Sequence, residues 1–412
     1  MMHPTAAVRP HPARRSVLAL AFLVLLVEGY DQFAVGTVGP ALLSYEPWHA
    51  GHSVMGVIGS ATSLGLPFGS FAAGWAVTRW GLRRPLLFGV AWTAFTMLCG
   101  ALAPTLGLFI AARFGTGIGI GLLVPLISTL VSTFAPPRHR ALLLTVTLSA
   151  IAFGGTLSTL AGKFLLPHMH FQWLFLPGLL GVLLLPAIWR LAPAEAVSLA
   201  GAGGRARLRE VLAPRFRYGT ALFWVAAIMG LALVYSTTAW LPVTMVKAGY
   251  DVGSSFDFTI AFTLGAGFGN MALGALADRG PLREVTLGCF SLAVVALFVL
   301  STPQPHWLLL AVSALAGIGA LGAQNMVIAS MASFYPAELR GAGLGLALAV
   351  GRVGAIAGPT YVGVATDLIG SPKAGFYAFM LPALIGAVAV TALPHWRRGQ
   401  HDNAETAEPV AA

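Results

Sequence analysis

Charge is what this chain has least of. Only 9% of its 412 residues are Asp, Glu, Lys or Arg, the acids number 14, and mean hydropathy is +0.81. A soluble domain carries about 25% charged residues, so the composition excludes an ordinary soluble enzyme and defines a polytopic membrane protein. Cysteine is nearly absent too: Cys99 and Cys289 both sit inside apolar runs, which excludes a disulfide framework and a cysteine metal site. There is no ATP-binding loop, so an ion gradient is the expected energy source. No Ser, His and Asp set sits at a recognisable elbow, and neither enzymatic activity nor a cofactor is expected. His168 and His170 stand two apart in a loop with no further ligand, which does not make a metal site. The formal charge of +10 does not signal nucleic acid, because the basic residues punctuate the ends of hydrophobic segments instead of sharing one face. The first apolar run is too long for a cleavable signal peptide and lacks a small-residue cleavage site.

What the chain has in abundance is apolar length and glycine. Twelve apolar runs are each long enough to cross a bilayer as a helix: 16–43, 53–77, 85–103, 106–135, 141–165, 172–192, 218–246, 254–277, 285–302, 306–334, 341–368 and 373–393. The 49 glycines suit helices that must approach closely without a hydrophobic force between them, and the 26 prolines mark breaks and kinks that membrane helices tolerate. Of the 24 Lys and Arg residues, 19 fall in alternate loops or at the two termini. The positive-inside rule makes those loops and both termini cytoplasmic. The other face holds Lys163, Lys247 and Lys373, while Arg113 and Arg352 lie inside spans.

The chain also repeats itself at an offset of 200. Gly74 to Arg84 after span two parallels Gly274 to Arg283 after span eight, Gly117-Ile-Gly119 parallels Gly317-Ile-Gly319, and Phe134 with Pro136 parallels Phe334 with Pro336. The expected architecture is all-α, with two pseudo-symmetric six-helix bundles and a site between them near midplane. Its divisions are a first bundle over 1–192, a cytoplasmic linker over 193–217, a second bundle over 218–396 and a cytoplasmic tail over 397–412. The basic half of the linker could lie along anionic headgroups or be a merely solvated segment. Gly117-x-Gly-x-Gly121 reads as a helix-packing pattern, because no βαβ unit surrounds it.

Span one is the stretch around which the rest is organised, since Glu28 and Asp31 interrupt it near mid-depth. A carboxylate facing lipid there costs several kcal/mol, so both acids should face protein or a wet cavity. Their i, i+3 spacing places them on one helix face. Two such neighbours resist double ionisation, and the pair is a candidate proton relay. Arg113 in span four and Arg352 in span eleven each offer a planar fork for a carboxylate. For Arg113 a permanent salt bridge to Glu28 or Asp31 is the competing reading. Tyr30, Phe33, Tyr235, Trp240 and Phe262 could supply ring faces, or serve packing alone. Gln324 and Asn325 could hydrogen-bond substrate, or another helix.

The loop pattern G-x-x-x-D-R-x-G-x-R-R, repeated after spans two and eight, resembles the major facilitator superfamily. Within it the chain is similar to the aromatic acid:proton symporters. Their first-span D-G-x-D is matched by Glu28-Gly29-Tyr30-Asp31, and their fourth-span Arg-Phe before a Gly-rich run by Arg113-Phe114. Trp240-Leu-Pro242, Phe334 to Gly343 and Gly351-Arg352 to Pro359 complete the likeness. Glu28 stands where the family has Asp, and Thr78 where the loop has its acid, although Asp278 keeps it in the second copy.

The resemblance implies a proton-coupled carrier in a bacterial inner membrane, importing a small, aromatic carboxylic acid by alternating access; a monomer is expected. Proton, organic acid and lipid bilayer are its expected partners. Glu28 and Asp31 are assigned to proton coupling. Arg113, Arg352, Tyr30, Trp240, Gln324 and Asn325 are assigned to substrate, and Arg79, Arg83, Asp278, Arg279 and Arg340 to gating. Efflux on the same fold, and a membrane sensor that binds without transport, are the alternatives.

Overall fold

The computed structural model describes residues 11–136, 140–194, 210–277 and 281–393. Twelve helices in it are long and apolar enough to cross a membrane. They are α1 His11–Leu43, α2 His52–Trp80, α3 Arg83–Ala101, α4 Leu106–Phe134, α5 Arg140–Leu165 and α6 Phe171–Leu191, then α7 Pro214–Lys247, α8 Val252–Ala277, α9 Leu282–Leu300, α10 His306–Phe334, α11 Ala337–Ile369 and α12 Ala374–Thr391. Every expected apolar run is a helix, with ends displaced by a few residues; α7, for example, begins at Pro214 instead of 218. The middle of the linker lies outside the described residues, as do Arg138, Asp278, Arg279 and the terminal arginines at 397 and 398.

Local chemistry sets the helix ends. The Thr105 hydroxyl caps α4 by accepting the Leu108 N–H at 3.4 Å. Gly370 ends α11 in the left-handed conformation, at a φ of 64° that a side chain would resist. One helix departs from the expected geometry. Residues Phe171–Leu184 of α6 wind as a 3-10 helix, and only Leu185–Leu191 are α-helical. Three residues per turn put every third side chain of that stretch in one column.

The helices fall into two groups of six with the same pairing scheme. In the first group α1 packs on α5, α2 on α4, and α3 on α4 and α6; in the second, α7 packs on α11, α8 on α10, and α9 on α10 and α12. Glycines set the closest approaches, again at the offset of 200. Gly117 of α4 lies against the Thr62 carbonyl of α2, and Gly317 of α10 lies against the Phe262 carbonyl of α8. A β-carbon at either site would collide with backbone, which accounts for the glycine-rich runs as packing surfaces.

The groups meet along α2–α11 and α5–α8, a pair of contacts that the repeat exchanges, and along α1–α7. Much of this contact lies toward the arginine-poor end of the bundle. There Gly56 packs on Pro359 and Thr360, and Gly363 packs on His52. The Lys163 ammonium reaches Asp257 at 2.5 Å, and His52 Nδ1 reaches Asp367 at 2.8 Å. Ser60 and Thr360 join their hydroxyls at 2.7 Å. That end is closed.

Candidate functional site

The acid pair of α1 is buried inside the first six-helix group. Glu28 is 3% exposed and Asp31 fully enclosed, on the face turned toward α3, α4 and α6. Helix α1 can carry them because Gly29 lets α5 approach at Ile151 on another face, while Gly154 of α5 lies against Leu26 and Tyr30. Glu28 borders a cavity of about 10 Å³ with Thr93, Val90, Gly178, Gly181 and Leu184, room for a single water. Among the described residues its Oε2 has no hydrogen-bond partner, and neither has either oxygen of Asp31. An unpartnered buried carboxyl is costly and is retained where it has a task.

Arg113 of α4 is the third member of the cluster, also fully enclosed. Its Nη2 donates to Thr116 Oγ1 at 2.6 Å and to the Met97 sulfur at 2.8 Å. The guanidinium carbon stands 4.7 Å from the centre of the Phe175 ring, a cation-π contact in a dry setting. Asp31 and Arg113 are near enough for their charges to act on one another, as are Asp31 and Glu28. Arg113 nevertheless makes no hydrogen bond to either acid, so the closed salt bridge entertained from the sequence is not the arrangement found. Nε and Nη1 have no partner among the described residues. The site thus holds two carboxyl groups and a guanidinium with spare donors in an apolar enclosure, which can exchange a proton and can accept an anion.

The 3-10 winding of α6 is what covers this cluster. Phe175, Gly178, Gly181 and Leu184 form one column: Phe175 lies under Arg113, Gly178 against Asp31 and Met97, and Gly181 with Leu184 beside Glu28. In an α-helix each three-residue step would rotate about 60° out of line, and the column would leave the charges. A β-carbon on Gly178 would stand 2.8 Å from Asp31 Oδ1 and 2.9 Å from the Met97 methyl. None of Thr93, Met97, Phe175 and Gly178 carries a sequence signal of its own; only the fold brings them to the acids.

The remaining assigned residues are dispersed. Tyr30 turns its hydroxyl to the Leu174 carbonyl of α6 at 2.9 Å. Arg352 of α11 is half-buried, and among the described residues it has no hydrogen bond or ion pair. Gln324 of α10 is buried with both amide atoms unpartnered and its oxygen toward Gly230 of α7, while Asn325 is half-buried. Trp240 is 1% exposed, donates its indole N–H to the Pro359 carbonyl at 2.9 Å and stacks on His52, which places it in the closed end and away from the acid pair. Phe33 and Phe262 are buried in helix contacts, against Gly155 and Gly317.

Of the gating set, Arg79 and Arg340 are exposed at the arginine-rich end. Arg83 donates from Nε to the Ala192 carbonyl at 2.8 Å and lies over Trp189. Asp278 and Arg279 lie outside the described residues. Thr78, in the loop acid's place, donates to the Trp75 carbonyl of its own helix at 2.8 Å. Asp257 and Asp367, which bridge the two groups, were not singled out from the sequence; a carboxylate near the end of an apolar run was the available signal.

Twelve spans in two matched groups of six, with a charged cluster enclosed in the first, define a multi-pass membrane transporter. Residues 21–260 and 258–411 match the model of the Major Facilitator Superfamily, and the chain belongs to that family. Similar curated proteins are transporters of aromatic acids. The gentisate transporter of Corynebacterium glutamicum is 31% identical, over 92% of this chain and 87% of that protein. The benzoate transport protein of Acinetobacter baylyi is 29% identical over 92% and 89%. The 3-(3-hydroxy-phenyl)propionate transporter of Escherichia coli is 31% identical over 90% and 91%. Among solved structures, a D-xylose-proton symporter aligns with a TM-score of 0.76 over 93% of this chain and 97% of its own, at 16% identity, a likeness of fold alone.

Proposed function

We propose that this transporter imports a small aromatic carboxylic acid together with a proton by alternating access. The observation that carries the reading is the enclosure of Glu28, Asp31 and Arg113 together, with both Asp31 oxygens and two of the Arg113 nitrogens unpartnered. Proton uptake on one acid of the pair removes a negative charge from the neighbourhood of Arg113, whose spare donors then serve the substrate carboxylate. Arg352, half-buried and without a partner among the described residues, supplies the second cation from the other bundle. Gln324 and Asn325 offer hydrogen bonds to ring substituents. The aromatic acids named for the curated relatives support the substrate class.

The arginine-rich end is cytoplasmic in this reading, so both termini are inside and the closed end faces outward. The membrane is a bacterial inner membrane, and the working unit is a monomer. The divisions are bundles over 1–192 and 218–396, joined by the linker over 193–217 and followed by the tail over 397–412. The bundles pack together along α1–α7 and α2–α11 toward the outer end, and α5 meets α8 toward the inner end too, where Gly274 lies against Thr145; alternating access would part these two sets of contacts in turn.

The test is uptake of labelled benzoate, gentisate, hydroxybenzoates and a sugar control into cells expressing the chain, with and without an uncoupler. Uptake of one acid that collapses with the uncoupler, and in Glu28→Gln and Arg352→Ala, is the expected result. Accumulation of the sugar alone, or of no compound in the panel, overturns the reading.

A further inference from the structure

We propose that the cavity at the outer mouth is a second anion site, where the carboxylate of an aromatic acid is held on Lys247 before the gate opens; this rests on the reading above for orientation and substrate class. The cavity has a volume of about 680 Å³, and its walls include Leu43, His52, Lys163, Val243, Lys247 and Phe256. Such a volume lies within the usual range of small-molecule pockets.

Charge at this mouth is unevenly engaged. Lys163 is paired with Asp257 at 2.5 Å. Asp367 accepts from the Ser53 N–H at 3.1 Å, is bonded to the Ser53 hydroxyl and is paired with His52. Among the described residues Lys247 has no hydrogen bond or ion pair, although Asp367 is near enough for their charges to interact. Lys247 is thus the cation with donors to give, and the acids around it already have partners. The apolar walls beside it, Val243 and Phe256 foremost, can take a ring.

Two further observations point to an anion. The outer face of this chain has no arginine and three lysines, Lys163, Lys247 and Lys373, and two of them line this one cavity. Its walls also come from both bundles, α1, α2 and α5 on one side and α7 and α8 on the other. When the outer ends part, Lys163 leaves Asp257 and a second ammonium is released beside the held carboxylate. The site fills in the closed state, and the parting of its walls opens the way inward. An anionic lipid headgroup carries similar oxygens, so the test separates the two sources.

The experiment reads the fluorine NMR linewidth of 4-fluorobenzoate with the full-length protein in phosphatidylcholine nanodiscs. Arg352→Ala disables the central site, and the weak component that survives in it reports the mouth. Lys247→Gln in that background is expected to lower this component at least fivefold, and Lys247→Arg to keep it. In uptake, Lys247→Gln alone should raise KM about fivefold with the maximal rate within twofold. An unchanged weak component in Lys247→Gln overturns the site, and so does its displacement by phosphatidylglycerol at a few molecules per transporter. If no aromatic acid is transported yet 4-fluorobenzoate still binds through Lys247, the mouth site stands and the transport reading falls. If uptake proceeds and Lys247→Gln alters neither binding nor KM, only the mouth site falls.

Discussion

Arg83 and Arg283 hold equivalent helix ends in the two bundles. Arg83 donates to the Ala192 carbonyl just beyond α6 at 2.8 Å, and Arg283 donates to the Thr391 carbonyl at the end of α12 at 2.6 Å. Both follow the loops whose sequences repeat, so the repeat survives as a shared contact and not only as shared letters. A charged donor on a terminal carbonyl contributes about 1–2 kcal/mol where water partly screens it. Arg83→Ala and Arg283→Ala should each lower the thermal unfolding midpoint in detergent by a few degrees and to a similar extent. A large effect at one and none at the other would show that the clamps are not equivalent.

The glycines at the same offset allow a stricter comparison. In Gly117→Ala and Gly317→Ala the new β-carbon meets the carbonyl of Thr62 or Phe262, backbone that cannot rotate away. Each substitution should cost about 1–3 kcal/mol, the usual range for overpacking, read as a lower unfolding midpoint and a lower membrane yield. Gly288→Ala, where a β-carbon enters open space, is the control and should be silent.

Gly178 tests the cover over the acids. In Gly178→Ala the β-carbon presses on the Asp31 carboxyl and on the flexible end of Met97, not on backbone. Yield and unfolding midpoint should therefore change little, while proton-driven accumulation falls about tenfold, the consequence of about 1.4 kcal/mol. Asp31→Asn should remove accumulation but leave exchange of labelled for unlabelled substrate. Equal loss of both in Asp31→Asn would show that the carboxyl does not couple the proton.

Trp240 joins α7 to α11 at the closed end through its bond to the Pro359 carbonyl. Trp240→Phe keeps a ring but loses that bond, about 1 kcal/mol. The closed state should weaken, and a cysteine placed at Ser60 should react about fivefold faster with an impermeant thiol reagent. No change in labelling rate would remove Trp240 from the closure.

Asp251 gives a pH test away from the membrane. It accepts the Ser254 N–H at 2.8 Å and the Ser254 hydroxyl at 2.6 Å at the start of α8, and these bonds hold its carboxyl below the usual range. A depressed value means that the cap stabilises the helix start above the ordinary Asp value of about 3.9 and is lost as pH falls through the folded one. Amide exchange at Ser254 should be protected at pH 6 and lose protection at pH 3 beyond its neighbours, and Asp251→Ala should abolish the difference.

The fold was legible because the bilayer imposes one rule, a long apolar run for every crossing, and the chain obeys it at each span. Charge bias gave the two ends, and the offset of 200 gave the two bundles. What lay hidden depended on winding and on approach across the bundle. Phe171–Leu184 has one polar side chain, Gln172, so no periodicity distinguished 3-10 from α winding. Phe175 and Met97 read as ordinary core, and only their positions around Arg113 give them significance. Trp240 stood out as an aromatic beside a proline, but its neighbours put it in the closure. The acid pair and Arg113 were visible because charge has no bland place in hydrocarbon; their lack of a mutual hydrogen bond was not.

The winding of α6 also sets what lengths this segment can tolerate. With three residues per turn, an insertion of one residue within Phe171–Leu184 rotates everything beyond it by about 120° and slides it about 2 Å, so the column no longer faces the acids. An insertion of three residues restores the facing after one full turn. An α-helix has no such rule, since three added residues leave it about 60° out of register. Tolerance of triplet insertions, and rejection of single and double ones, is a signature that this span alone among the twelve should carry.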